Sequence, residues 1–103
     1  MGLTMKAELI FISGKYRGDI EANIAHAEIA AKRLWQQDFV VICPHLNTAR
    51  FDGICPDEVW LAGGLEMLRR CDSIYMLKGW EDSEGAKAEY KLARKLGMKV
   101  YYE

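Results

Sequence analysis

The chain has 103 residues, the size of one domain (residues 1–103) that buries roughly 60–70% of its extended-state surface on folding. Half of the residues are hydrophobic and 28% are charged, a globular balance that argues against disorder. A net charge of -1 without a basic block argues against a nucleic-acid partner, and no apolar run approaches the roughly 20 residues that span a bilayer.

Residues 1–6 show no basic segment followed by an apolar stretch, so no secretory signal is expected and the chain reads as cytoplasmic. Cys43, Cys55 and Cys71 are odd in number and lack C-x-x-C spacing, which fits reduced thiols. Cys43, His45 and Cys55 lack a fourth ligand at recognisable spacing, so no metal is expected.

Glu8-Leu9-Ile10-Phe11-Ile12-Ser13 is an apolar run ending at Gly14 and predicts a buried strand. Residues 14–18 form a loop, and Asp19 stands where a helix N-cap belongs. Ile20, Ile24, Ala27, Ala31 and Leu34 then make the stripe of a helix running to about Gln37. Phe39-Val40-Val41-Ile42-Cys43 predicts a second strand, stopped by Pro44. Residues 44–57 read as a long irregular loop, and such loops tend to carry function.

Pro56 and Asp57 open a second helix whose Gly63-Gly64 pair predicts a kink or a close approach. Residues 73–77 predict a third strand, and Ser83 caps a third helix running to Leu96 and ended by Gly97. Residues 98–102 form the fourth strand. Apolar strands alternating with amphipathic helices give an α/β domain of three αβα layers around a parallel sheet of four or five strands. Ligands bind such sheets at the carboxyl ends of the strands, which places the loops at 14–18, 44–57 and 78–89 at the site.

In the third helix Glu84, Lys87, Lys91 and Arg94 mark the solvent face, while Glu89 falls with Gly85, Leu92 and Leu96 on the apolar side. An ionised carboxylate there is costly. Glu89 is therefore either functional or a half-exposed side chain that reaches solvent or a partner.

Gly14-Lys15-Tyr16-Arg17-Gly18-Asp19 joins a strand to a helix, a geometry that aims N–H groups at an anion. Arg17 could grip a phosphate, or simply sit solvated on a tight turn. The segment matches neither G-x-x-x-x-G-K-[ST] nor G-x-G-x-x-G, so no nucleoside triphosphate or dinucleotide cofactor is expected.

His45, Asn47 and Thr48 lie at the ligand edge, where they could bond a base or sugar or serve an ordinary loop. Tyr16 and Trp80 could stack on a base or pack. His26 reads as a surface or boundary residue and Asp72 as structural. Asp52, Asp57, Asp82 and Glu84 read as solvated.

Four segments together resemble the nucleoside 2-deoxyribosyltransferase-like superfamily, most of all its small bacterial and phage members and its deoxynucleoside 5′-monophosphate N-glycosidases. They are residues 11–18 at the first loop, 43–48 after the second strand, 68–72 before the third, and 82–90 at the third helix. The resemblance implies a flavodoxin-like, Rossmann-like sheet in the order 2-1-3-4 and N-glycosidic cleavage or transfer without a cofactor. It also implies that Glu89 is the nucleophile and that Arg17, Gly18 and Ser83 hold a 5′-phosphate, with Gly14, Tyr16, His45, Asn47 and Gly85 completing the substrate site.

Two positions depart from the family pattern. A family aspartate near base and sugar falls on Gly64, which implies slower chemistry or a substitute proton donor such as Asp57 or Asp82. A family tyrosine on the first strand falls on Phe11. The alternative to an enzyme is a binding module that keeps the pocket, senses or sequesters a nucleotide, and has lost the chemistry. A homodimer or homotetramer is expected, because so small a domain has little interior for Trp35, Trp60 and Trp80.

Overall fold

The computed structural model describes residues 7–103. The segment 1–6 that was read for a secretory signal lies outside the described residues. The first strand, β1 (Leu9–Ser13), is buried from Ile10 onward, as its near-continuous apolar run requires. It pairs in parallel with β2 (Val40–Ile42) on one side and β3 (Ser73–Met76) on the other. The last strand, β4 (Lys99–Tyr102), pairs in parallel with β3, giving the order β2-β1-β3-β4. The described sheet thus has four strands in the expected order.

The helix α1 (Ile20–Gln36) starts where Asp19 Oδ1 accepts the Ala22 N–H at 3.2 Å. Its buried residues Ala27, Ala30, Ala31 and Leu34 cluster with Ile10, Ile12, Val41 and Leu77. The segment 44–57 is not wholly irregular, because a short helix, α2 (Pro44–Asn47), fills its first part. Proline at the first helical position suits that turn, having no N–H to leave unpaired.

The next helix, α3 (Asp57–Arg69), follows Pro56 and carries Asp57 and Glu58 in its first turn, where the helix dipole favours them. A turn of 3₁₀ helix at Trp80–Asp82 leads into α4 (Glu84–Lys95), which packs against α3. Phe11, Leu68, Ile74, Met76 and Ala93 form the second core cluster, on the sheet face opposite α1. Leu96, expected inside the third helix on its apolar face, is instead the C-cap residue and 49% exposed. No described helix is long and apolar enough to cross a membrane.

From β1 the chain passes outward to β2 and then returns beyond β1 to β3. The crevice between the carboxyl ends of β1 and β3 is therefore the topological switch point. Ser13 and Met76, the last residues of these strands, are register partners there.

Candidate active site

Side chains alternate across a strand, so Ile10 and Ile12 face α1 while Phe11 and Ser13 face α3 and α4. On α4, Ala86 and Ala93 are fully buried, and Glu89 lies between them at helical spacing. The apolar side of this helix is thus the Ala86–Ala93 face, rotated slightly from the Gly85–Leu96 side read from the sequence. Glu89 belongs to both readings.

Ser13 Oγ donates to Glu89 Oε1 at 2.6 Å, from a side chain only 1% exposed. A short hydroxyl-to-carboxylate bond is of the strong, charge-assisted kind. Gly64 of α3 is buried beside them, and a Cβ at that position would stand 3.2 Å from Glu89 Oε2. The expected close approach is therefore found at Gly64. Burial pushes the Glu89 carboxyl up from 4.5 to about 7, and the Ser13 hydrogen bond pulls it partly back.

The loop after β1 is fixed from several sides. A Cβ on Gly14 would stand 2.6 Å from Leu77 Cδ1, so the chain crosses the end of β3 without room for a side chain. Gly18 turns with φ 99°, a conformation that favours glycine. Asn23 Nδ2 donates to the Tyr16 and Arg17 carbonyls at 2.9 and 3.0 Å. Tyr16 OH donates to Asp52 Oδ1 at 3.0 Å, and Arg17 ion-pairs with Asp57 at the start of α3. Asp52 and Asp57 are exposed, as expected, and each also meets a side chain of this loop.

His45, expected to meet a base or sugar or to serve the loop, contacts the loop through Nε2, while its buried Nδ1 has no partner among the described residues. It is 6% exposed, and Nε2 donates to the Lys15 carbonyl at 3.0 Å. Burial lowers its pKa below 6.5, so the ring is neutral at pH 7. Tyr16 lies edge-on to it, with ring centroids 5.9 Å apart.

Ser83 caps α4, accepting the Ala86 N–H at 3.1 Å, and Gly85 follows in the first turn. Asn47 is exposed at the end of α2. Trp80 packs on Tyr90, centroid to centroid at 4.6 Å, and Asp82 is exposed on the same turn. Glu84 pairs with Lys87 on the surface, and His26 with Glu103. At the opposite edge, Asp72 Oδ2 accepts the Leu9 N–H at 2.8 Å, a structural role.

Ser13 and Asn23 were not singled out by sequence reasoning, whereas Gly64 was marked by its glycine pair and by the departure from the family pattern. Ser13 shows only as the polar residue closing an otherwise apolar strand.

Residues 8–102 match the family described as "Domain of unknown function (DUF4406)", and the chain belongs to that family. The solved structure of a 2-desoxiribosyltransferase from Leishmania mexicana is similar, with a TM-score of 0.70 and 20% identity over 92% of this chain. The match covers 63% of that protein, so this chain spans under two thirds of its length. The fold is thus nucleoside 2-deoxyribosyltransferase-like. No curated protein sequence matches the chain.

Proposed function

We propose that this DUF4406 protein cleaves or transfers at the N-glycosidic bond of 2-deoxynucleotides, with 5′-monophosphates as its substrates. The observation that carries this reading is Glu89: a carboxylate on the inward face of α4, held by Ser13 at the switch point and pushed up to about 7 by burial. A structural carboxylate gains nothing from such a place. A nucleophile does, because a poorly solvated carboxylate at the ligand edge is reactive once ionised. Glu89 attacks C1′ and the base leaves with the bonding electrons, giving a glycosyl ester on the enzyme. Water then releases the sugar, or a second base takes it up, as in retaining glycosidases.

Arg17 supports the choice of a monophosphate. Its ion pair with Asp57 joins side chains that are 72% and 74% exposed, and such pairs are worth at most about 1 kcal/mol. A phosphate can therefore displace Asp57 at little cost, while the backbone beneath stays fixed by Asn23 and His45. Ser83 and Gly85 at the start of α4, with Gly14 and Gly18, supply the small residues and N–H groups that suit an anion. Phe51, Ile54, Val59 and Leu61 are 46%, 69%, 50% and 41% exposed, an apolar surface that suits a homodimer or homotetramer.

The test is incubation with a panel of deoxynucleosides and their 5′-monophosphates, with released base resolved by chromatography. Adding a second base separates transfer from hydrolysis. A protein that binds deoxynucleotides and never releases base is the sensing module instead, a reading favoured by glycine at position 64 where the resemblance places an aspartate.

A further inference from the structure

We propose that Ser13 is a positioning residue that divides the labour of the Glu89 carboxylate: its hydroxyl holds Oε1, and Oε2, on the Gly64 side, forms the bond to C1′. The proposal rests on the glycosidase reading above and assigns the two oxygens within it.

Ser13 is well placed to hold an atom still. Its carbonyl accepts the Leu77 N–H at 2.9 Å, its register partner is Met76, and its side chain is buried. The hydroxyl therefore offers Oε1 a donor fixed by the sheet itself, at 2.6 Å. An oxygen so engaged is the weaker nucleophile of the two, because the hydrogen bond draws on its charge.

Oε2 has no hydrogen-bond partner among the described residues. It points toward Gly64, and nothing else lies within 4 Å of the position a Cβ would take there, outside that residue's own helix and neighbours. Glycine thus leaves space beside the free oxygen. The groups facing the carboxylate are Ser13 from β1 and Gly64 from α3, and neither carries a charge.

In the first step a lone pair of ionised Oε2 forms the bond to C1′ while the C1′–N bond breaks. Its electron pair leaves on the base, which takes a proton from water. Oε1 becomes the ester carbonyl and keeps its bond from Ser13. In the second step water attacks C1′, the C1′–Oε2 pair returns to the carboxylate, and the water's proton passes to solvent.

The experiment compares wild type, Ser13→Ala, Ser13→Thr and Gly64→Ala. Turnover is followed against pH, and Glu89 is titrated directly through the carbon-13 shift of its carboxyl. Loss of the Ser13 donor should move both the Glu89 titration and the acid limb of kcat upward by about one pH unit. At pH 7 kcat should fall about fivefold, and about tenfold below pH 6, with KM little changed, and Ser13→Thr should restore the limb. Gly64→Ala should stay folded and titrate Glu89 no lower than wild type, but lose at least tenfold in kcat even above the Glu89 titration, because its methyl crowds Oε2. An unmoved titration in Ser13→Ala would overturn the role of Ser13, and full turnover in Gly64→Ala would overturn the oxygen assignment. Wild-type protein that releases no base refutes the catalytic reading, while the titration still decides whether Ser13 holds Glu89.

Discussion

Replacing Glu89 with glutamine keeps the shape of the side chain and removes its ionisation, so stability and turnover should move in opposite directions. The difference between about 7 in the folded protein and the ordinary 4.5, at about 1.36 kcal/mol per pH unit, is about 3 kcal/mol. The sign follows from the protons. Between pH 4.5 and 7 the native state keeps a proton that the unfolded state has released, so wild-type stability declines as pH rises through this window. Glutamine has no such decline. The variant should exceed wild type by about 1 kcal/mol at pH 5 and about 3 kcal/mol at pH 8.5. Urea unfolding at the two pH values measures this, provided the slopes agree. Turnover should fall by orders of magnitude while nucleotide binding survives. A stability gain that does not change with pH would refute the desolvated carboxylate, and full turnover in Glu89→Gln would refute the nucleophile.

Arg17→Ala should weaken monophosphate binding by about 1.5–3 kcal/mol and leave the matching nucleoside nearly unaffected, which calorimetry on the pair of ligands can read. Equal losses for both would mean a collapsed loop. Asp57→Asn should free Arg17 and tighten monophosphate binding up to about fivefold, the worth of an exposed ion pair, and weaker binding would show that Asp57 orients the arginine. His45→Ala should lower stability by about 2 kcal/mol or more and weaken nucleoside and monophosphate alike, because the ring supports the loop from beneath. Sedimentation should find a dimer or tetramer at micromolar concentration, and a monomer there would leave the exposed Ile54 and its neighbours without that role.

The fold was legible because its signals are local. The runs at Leu9–Ile12 and Val40–Ile42 are apolar throughout, and α1 repeats its buried residues with helical spacing. Asp19 and Ser83 announce helix starts through contacts spanning three residues. The helix at Pro44–Asn47 left no such trace, since one turn is too short for periodicity to register. Its histidine could be placed at the ligand edge from the strand order. Whether the ring faced a ligand or the chain's own backbone depended on Lys15, 30 residues away.

Glu89 was legible for the reason Ser13 was not. A carboxylate on the inward side of a helix contradicts its own local pattern, whereas a serine at the end of a strand contradicts nothing. The two meet across 76 residues of sequence, and only the packing of α4 on β1 joins them. Gly64 stands between these cases. A glycine inside a helix costs about 1 kcal/mol, and the sequence shows that cost twice, at Gly63 and Gly64. A Cβ at position 63 would meet nothing within 4 Å, while one at 64 would meet Glu89 Oε2. The second glycine thus leaves a carboxylate its space, a local inconsistency of the kind functional sites retain. An aspartate there would set a second negative charge beside the first and drive the Glu89 pKa higher still. With glycine, burial and the Ser13 hydroxyl are left to govern it, so the carboxylate is tuned by one hydrogen bond and the space beside it.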